Sequence, residues 1–510
     1  MGEEIMKKRM KYLFLFGLLL LGASCINDSG NYDYISKNDI LPVTISGLPE
    51  KYSIGRSELL HFAPEVEIGK ESAGYTYSWF ITEATAAGMY PSRRHLADTK
   101  DLNYEVLLDA GSWLLSFEVA DRKRDIYKRH EIKLSITASP INVGWYVLKD
   151  INDKTDFDYI NKEGQMYADA LKLTDNEQLD GEAVSMIYQP GYYYQLFPNA
   201  DGTSTLLGGQ KVFYILSTKD IRVIDANNMV LFKTFDDMFY TIPEKREPQN
   251  ISYNSPVIFL MNAGQIHSLY TGSKNYGIFG AFTLGDYDFF NRVVLAKGSD
   301  LLAFDKKSNS FCTVLVGGAY TDPIADKLPE STVKGPTSVT NMPYSLVKME
   351  SGESTSAGVS AFALMQHVST GEYYLAQLLY TGSKAYPIVD FTLVPSGCLL
   401  PSADLIAAPT TGSFVYFAKD NKVYSYVGAS GETEKERLML EFAPNEKVTY
   451  IKHFYYPTAP ANYNYLAVLT NVNSKWKLRI YTPEGVGELE PGIVAEYEGE
   501  GNGRYVMYRN

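Results

Sequence analysis

The sequence predicts an all-β protein in which an N-terminal β-sandwich is followed by a β-propeller. Short alternating segments separated by turn residues run to Ser139, and a longer series of hairpin-like units begins after Pro140. A literal repeat lies inside that series, because Leu269–Lys274 (LYTGSK) recurs as Leu379–Lys384. Internal repeats indicate a fold built from similar units.

Residues 41–139 are predicted to form the sandwich. Their alternating segments are typical of six or seven short strands, and a length of about 100 residues suits an immunoglobulin-like fold. Trp79 lies in the middle of one segment, where such folds place a core aromatic residue.

Residues 140–510 are predicted to form the propeller. Seven units share one plan, in which an apolar strand, a polar turn and a second strand follow each other: 144–160, 212–225, 257–270, 293–305, 362–380, 414–427 and 465–481. Such units bury both faces only in a closed ring. We predict seven blades, within a range of six to eight, and closure of the ring by pairing of Arg504–Arg509 with Gly144–Lys149.

Residues 1–24 are predicted to be a lipoprotein signal peptide, and residues 25–40 a lipidated tether. A basic stretch precedes an apolar run, Tyr12 to Leu21, that is shorter than the roughly 20 residues needed to cross a bilayer. The following Leu21–Cys25 (LGASC) resembles the bacterial lipobox, which implies lipid attachment at Cys25. An ordinary secreted protein with an accidental Cys25 is the alternative, and the true start Met is left open.

A second resemblance concerns the sandwich. Tyr77–Trp79 (YSW) followed by Gly111–Asp121 (GSWLLSFEVAD) resembles the PKD-like family of exported proteins. The resemblance implies that Asp121 caps the turn before the last strand. The order of lipobox, PKD-like domain and propeller-like repeats is similar to PKD-like lipoproteins of Bacteroidetes.

Composition excludes several classes of function. A net charge of −13 disfavours nucleic acid and anionic headgroups as partners. Cys312 and Cys398 are too few for a disulfide scaffold, and whether they pair is left open. No metal is predicted, because the six histidines lack ligand spacing and the acidic run from Asp150 to Asp158 reads better as a solvated hairpin turn than as a calcium loop.

Neither a catalytic residue nor a cofactor is predicted. The sequence contains no GxSxG elbow, Walker loop or sialidase-type turn repeat. A pair of carboxylates at the propeller axis could still cleave glycosidic bonds, but 60 acidic residues make any nomination from sequence arbitrary.

Aromatic loops are the predicted ligand-binding elements, because exposed tyrosine rings stack on flat ligands. The residues are Tyr192, Tyr193, Tyr194, Tyr455, Tyr456 and Tyr463. Packing of these rings between blades is the alternative for each of them.

The family resemblance implies a membrane-anchored, non-catalytic binding lipoprotein. It would assist capture and uptake of a glycan or peptide, with an outer-membrane transporter as a possible partner. A surface glycan-degrading enzyme and a structural subunit of an outer-membrane complex are the alternatives. The implied location is the outer membrane, on the cell surface or on its periplasmic face.

The lipobox yields a direct prediction. Replacing Cys25 by Ser removes the thiol that receives the lipid, so we expect the variant to lose metabolic labelling with palmitate and to leave the membrane fraction. Cys312→Ser is the control and should label like the wild type. Unchanged labelling of Cys25→Ser would contradict the lipoprotein assignment.

Overall fold

The computed structural model describes residues 42–509, except 56–58, 70–73, 85–92, 107, 109–110, 124, 138–142, 175, 199–203, 228, 272–276, 296–299, 316–320, 323–335, 337, 356–357, 383–385, 411, 429–434 and 457–461. The predicted signal peptide, the tether and Cys25 therefore lie outside the described residues. The chain divides into two compact units between Thr137 and Ala138, apart from two short segments.

Nearly all the regular structure of the described residues is β-strand. Helical elements are short: α1 (Ala170–Leu173) and the 3-10 turns Phe235–Asp237 and Leu400–Ser402. Within the described ranges, no helix has both the length and the apolar character needed to cross a bilayer.

The first unit is a β-sandwich. Its strands are β1 (Val43–Ser46), β2 (Lys51–Gly55), β3 (Leu59–Phe62), β4 (Glu65–Ile68), β5 (Tyr75–Glu83), β6 (Arg94–Ala97), β7 (Leu102–Glu105), β8 (Gly111–Asp121) and β9 (Ile126–Thr137). A five-stranded sheet has the order β2-β9-β8-β5-β6, and β1-β4 and β3-β7 form separate pairs.

The core of the sandwich is centred on Trp79, as predicted. Its indole is fully buried, with ring centroids 4.6 Å from Phe117 and 6.1 Å from Phe62. The capping role of Asp121 is also confirmed, because its Oδ1 accepts a hydrogen bond from the amide of Lys123 at 2.9 Å. Asp121 thereby satisfies a backbone donor in the turn between β8 and β9.

The sandwich has more strands than the six or seven predicted, since nine are present in its described part. Alternation in the sequence does not mark β2 and β6, because their side chains are mostly exposed and show little apolar pattern. In addition, β3 and β4 follow closely in the chain but are separate on either side of Ala63-Pro64. Proline has no amide hydrogen to continue a ladder, which accounts for the break.

The second unit is a series of antiparallel sheets, numbered here 1 to 7 along the chain. Sheet 1 contains β10 (Gly144–Ile151), β11 (Lys154–Asn161), β12 (Met166–Tyr167) and β13 (Leu179–Asp180). Sheet 2 contains β14 (Ala183–Pro198), β15 (Ser204–Ser217), β16 (Ile221–Asp225) and β17 (Leu231–Thr234). Sheet 3 contains β18 (Pro248–Asn254), β19 (Val257–Asn262) and β20 (Gln265–Tyr270).

The remaining sheets repeat this plan. Sheet 4 contains β21 (Val294–Leu295), β22 (Asp300–Asp305), β23 (Ser310–Leu315) and β24 (Thr321–Asp322). Sheet 5 contains β25 (Tyr344–Thr355), β26 (Gly358–His367), β27 (Tyr373–Tyr380) and β28 (Ile388–Leu393). Sheet 6 contains β29 (Leu405–Ala407), β30 (Phe414–Lys419), β31 (Lys422–Val427) and β32 (Glu436–Glu441).

Sheet 7 is interrupted by a small hairpin. It contains β33 (Lys447–Tyr456), β34 (Tyr463–Val472), β35 (Lys475–Tyr481) and β38 (Ala495–Glu500), with β36 (Pro483–Glu484) and β37 (Glu488–Leu489) between them. The last strand, β39 (Asn502–Arg509), returns to sheet 1. All seven predicted hairpin-like units are antiparallel hairpins, each in its own sheet.

The sheets close into a β-propeller. Each innermost strand contacts the innermost strand of the next sheet, in the order β39, β14, β18, β21, β25, β29, β33 and back to β39. The predicted closing pair is present, with Gly144 opposite Arg509 and Leu148 opposite Tyr505 in the β10–β39 ladder. Closure leaves no unpaired first or last sheet.

Apolar side chains fill the space between neighbouring sheets. Each pair of adjacent sheets shares one cluster of buried residues in the described part of the ring. The literal repeat marks this architecture, because Leu269–Tyr270 ends the third strand of sheet 3 and Leu379–Tyr380 ends the third strand of sheet 5.

A buried charged network joins sheet 7 to sheet 1. The Asp158 carboxylate accepts hydrogen bonds from Trp476 Nε1 at 2.9 Å and from the Asp169 amide at 2.8 Å. It also pairs with Lys149 Nζ at 2.7 Å, and both side chains are almost fully buried. Burial alone would lower the pKa of Lys149, but the charges and hydrogen bonds of Asp158 and Asp169 raise it above its usual value.

This network corrects the expectation of a solvated acidic turn. The turn itself is formed by Asn152 and Asp153, whose φ angles are 51° and 60°. Asp156 and Asp158, in contrast, are 1% and 0% exposed. The Asp156 carboxylate accepts hydrogen bonds from the Leu171 amide and from Gln178 Nε2, so it holds α1 against sheet 1.

Lys149→Met tests the network. The change removes the only cation paired with a buried carboxylate in this network, and leaving such a charge uncompensated costs roughly 3–5 kcal/mol of unfolding free energy. Urea unfolding followed by tryptophan fluorescence measures the loss. Lys154→Met is the control, since its ion pair with Asp180 is exposed to solvent and should contribute little. Equal stability of both variants would show that the network is dispensable.

Candidate functional site

The axis of the propeller contains a closed-in cavity that we call the channel. It has a volume of about 140 Å³ and is lined by side chains from all seven innermost strands or the residues directly before them. The polar members of its wall are Ser185, Asn250, Ser252, Arg292, Glu350, Ser351, Tyr450, Lys452 and Tyr505. Every sheet therefore contributes to one site.

Strand periodicity places charged side chains of two innermost strands in the channel or in the cavity next to it. In β25, Lys348 and Glu350 lie on either side of Met349, which is 2% exposed in the core between sheets 4 and 5. In β33, Tyr450 and Lys452 flank the buried Ile451 in the same way. Because side chains alternate between the two faces of a strand, the residue between two polar ones points elsewhere.

Two ion pairs join different sheets of the ring, one between sheets 4 and 5 and one between sheets 5 and 7. Arg292 Nε lies 2.6 Å from Glu350 Oε1, and Lys452 Nζ lies 3.3 Å from Glu353 Oε1. The charge of Glu350 raises the pKa of Arg292. Burial would lower the pKa of Lys452, but Glu353, Tyr505 and Glu350 together raise it. Both basic groups are thus cationic at neutral pH.

Neutral polar groups complete the channel wall. The rings of Tyr450 and Tyr505 lie 5.0 Å apart, and burial raises the pKa of Tyr450, so its phenol stays protonated. Ser185 is 3% exposed, and its hydroxyl has no hydrogen-bond partner among the described residues. A buried hydroxyl without a protein partner is stabilised when a molecule in the cavity bonds to it.

One end of the channel widens into a larger cavity that we call the mouth. Its volume is about 420 Å³, and it shares Arg292, Glu350, Leu405 and Ile406 with the channel. Its other lining residues are Gln249, Phe289, Phe290, Asn291, Lys306, Val347, Lys348, Met349 and Asp404. This volume falls in the range of about 300–1,000 Å³ that is usual for small-molecule sites.

A hydrogen-bonded histidine is connected through Thr410 to the backbone of Glu353, the acidic residue of the second ion pair. His453 Nδ1 accepts from the Thr410 amide at 3.1 Å, so the Nε2 hydrogen is assigned to the 2.7 Å contact with Asn464 Oδ1. Thr410 Oγ1 in turn accepts from the Glu353 amide at 3.3 Å. Neutral His453 therefore links sheet 7 to the strand that carries Glu353.

None of the predicted tyrosines whose side chains the structure describes lines the mouth. Tyr192 is 1% exposed and stacks on Phe232 with ring centroids 6.0 Å apart, so its ring packs in the core instead of facing a ligand. Tyr193 and Tyr194 belong to β14, but their side chains lie outside the described part of the structure.

The three tyrosines of sheet 7 lie at its β33–β34 hairpin. Tyr456 is 45% exposed and stacks on Tyr463 at 5.9 Å, and Tyr463 lies parallel to Tyr465 at 6.1 Å. Tyr455 is half-buried, with its ring 5.9 Å from His453. Tyr456 and Tyr463 thus form an aromatic stack with one open face.

Clustered metal ligands and reactive thiols are absent from the described residues. The described residues contain no group of three or more His, Cys, Asp or Glu side chains arranged to hold a metal ion. Cys312 and Cys398 are free thiols, and burial raises the pKa of Cys312 to about 12. A thiol with so high a pKa is a poor nucleophile.

Sequence reasoning missed every charged residue of the channel. Arg292, Glu350 and Lys452 come from three sheets and are far apart in the chain, so no local motif joins them. The sequence carries only a weak signal for these residues. In the first strand of a sheet, a polar residue stands on each side of a buried apolar one.

The model of the PKD-like family matches residues 25–184, a span that includes the sandwich and reaches into sheet 2. No curated protein matches the chain.

Several solved structures resemble the chain. One is a quinonprotein alcohol dehydrogenase-like protein of Bacteroides thetaiotaomicron, at 12% identity and a TM-score of 0.41, over 91% of this chain and 98% of that one. The WD40 domain of fission yeast SCAP matches at 11% identity and a TM-score of 0.33, over 62% of this chain and 77% of that one. PorZ, a surface component of the type-IX secretion system of Porphyromonas gingivalis, matches at 11% identity and a TM-score of 0.16, over 73% of this chain and 56% of that one.

The buried histidine generates a pH prediction. Burial lowers the pKa of His453 in the folded protein, although Asn464 and Glu353 act in the opposite direction. The folded pKa of His453 is therefore below the unfolded value of about 6.5. Burying the neutral ring contributes its full share of the unfolding free energy above pH 6.5, and this share is lost as the pH falls through the folded pKa. We expect the urea concentration at the unfolding midpoint to be lower at pH 5.5 than at pH 7.5. The His453→Gln variant should show a smaller decrease.

The control for this experiment is His61→Gln, since His61 is exposed on β3. It should keep the pH dependence of the wild type. A wild-type midpoint that is the same at both pH values, or a fall that His453→Gln leaves unchanged, would contradict the role assigned to His453.

Proposed function

From the match of residues 25–184 to the PKD-like family and from the polar channel, we propose a lipid-anchored, non-catalytic binding protein. Its propeller captures a glycan or peptide fragment at the channel mouth. The lipid on Cys25 holds it at the outer membrane, on the cell surface, where it assists uptake through an outer-membrane transporter.

The mouth and channel are the observation on which this proposal rests. A cavity of about 420 Å³ that leads to a polar channel of about 140 Å³ offers one deep site with both apolar walls and charged groups. Pockets of that kind are the usual binding sites of small ligands. Together, the open mouth and the unpartnered Ser185 hydroxyl favour an occupant.

The pairing of the charges favours binding over catalysis. Glycoside hydrolysis needs one carboxyl group that donates a proton and a second that acts as base or nucleophile. Glu350 and Glu353 are three residues apart on β25, which is the one observation in favour of a glycan-degrading enzyme. Each, however, is engaged by a cation: Glu350, which lines the channel, pairs with Arg292, and Glu353 pairs with Lys452.

Blocking the channel tests the proposal. The full-length chain, purified in detergent, is applied to arrays of oligosaccharides and oligopeptides, and hits are measured by calorimetry. Leu405 lines both the mouth and the channel, so Leu405→Trp should weaken binding at least tenfold by filling the cavity. Leu438→Trp is the control, because Leu438 is 50% exposed on the outer strand of the same sheet.

The same samples distinguish binding from turnover. We expect bound ligand to be recovered intact after prolonged incubation. Release of shortened products that stops in Glu350→Gln would support the glycan-degrading enzyme instead. Binding that Leu405→Trp leaves unchanged would place the ligand outside the channel and contradict the proposal.

A further inference from the structure

We propose that the channel mouth binds a carboxylate of the captured ligand, and that Lys348 and Arg292 bind this group jointly. This inference rests on the proposed function and names the chemistry that the ligand must carry. The shared chemistry is a carboxylate next to an apolar group, whether it comes from an acidic sugar or from the C-terminus of a peptide.

The mouth and channel are rich in cations although the chain is acidic. Four basic side chains line the two cavities (Arg292, Lys306, Lys348 and Lys452), against two carboxylates, Glu350 and Asp404. The chain as a whole has a net charge of −13. Concentration of the minority charge at one concave site attracts ligands of the opposite sign.

Lys348 is the group for which a partner is most needed. Its ammonium donates to the backbone carbonyl of Asp404 at 3.0 Å, and no carboxylate forms an ion pair with it among the described residues. The Asp404 carboxylate accepts from the Asp420 amide at 2.8 Å and so serves the turn between β30 and β31. Burial lowers the pKa of Lys348, and the charge of Asp404 offsets this only in part, so a carboxylate of a ligand would stabilise this cation further.

Arg292 has hydrogen-bonding capacity left over. Its Nε donates to Glu350, and its Nη1 donates to the Asn291 carbonyl at 3.1 Å. Nη2 has no partner among the described residues, although the side chain lines both cavities and is 39% exposed. A guanidinium binds carboxylates through its planar fork of donors, with stronger and more directional bonds than a neutral donor provides.

The apolar part of the mouth sets the shape of the ligand. Phe290, Val347, Leu405 and Ile406 line the same cavity as the two cations. A ligand whose carboxylate is attached to a sugar ring or to an aliphatic side chain would contact both surfaces at once. The polar groups of the channel beyond, Tyr450 and Ser185 among them, suit further hydroxyl or amide groups.

Matched acidic and neutral ligands test the inference. The probes are tri-galacturonate against a trimer of galactose, and tri-alanine against tri-alanine amide, titrated into the full-length chain by calorimetry in low salt. We expect the acidic member of one pair to bind at least tenfold more tightly than its neutral partner. The pair that shows the difference identifies the source of the carboxylate.

Variants then locate the carboxylate. Lys348→Met keeps the aliphatic stem and removes the charge, so it should weaken the acidic probe about tenfold and leave a neutral one unchanged. Lys306→Met is the matched control, because Lys306 lines the same mouth but already pairs with Asp288 at 3.0 Å. Its effect should be less than threefold.

The outcomes separate this inference from the proposed function. Equal binding of acidic and neutral members, still sensitive to Leu405→Trp, would overturn the carboxylate site and leave capture in the channel standing. An acidic preference that Lys348→Met does not reduce would also overturn it. If no probe bound at any concentration, both the carboxylate site and the proposed capture would fail.

Discussion

Closure of the ring is the interaction on which the rest of the propeller depends. The last strand, β39, pairs with β10, the first strand of the unit, so the two ends of a long chain segment meet in one sheet. Trp476 and Asp158 add a buried hydrogen bond across the junction between sheets 7 and 1. Arg509 extends the junction toward sheet 2, with its guanidinium 4.2 Å above the ring of Tyr188.

Closure also creates the site. Seven innermost strands converge on the axis, and strands such as β25 send alternate residues into the clusters between sheets. The remaining positions face one another across a narrow space. There Arg292 and Glu350 pair, as do Lys452 and Glu353, so most of the charge is compensated inside the protein. Lys348 at the mouth is the exception, because no carboxylate among the described residues forms an ion pair with it, and it gives the mouth a positive charge.

Different parts of the molecule were accessible to sequence reasoning to different degrees. Hairpins of the middle strands, such as 414–427 and 465–481, have buried, strongly apolar strands around a turn, and they were recognised. Innermost strands such as β25 and β33 mix polar and apolar residues, and they were not. The predicted ligand tyrosines illustrate the limit, because Tyr192 and Tyr456 have the same residue type but one is buried and the other is exposed.

The sequence by itself determined the all-β class, the PKD-like character of the N-terminal part, the hairpin units and the strand pairing that closes the ring. Each of these follows from local periodicity or from a repeat, which are properties of neighbouring residues. Only the tertiary structure decided which polar residues share the channel and that the acidic side chains of β11 are buried. Those facts depend on contacts between residues that are far apart in the chain, such as the hydrogen bond from Trp476 of sheet 7 to Asp158 of sheet 1, and no local pattern encodes them.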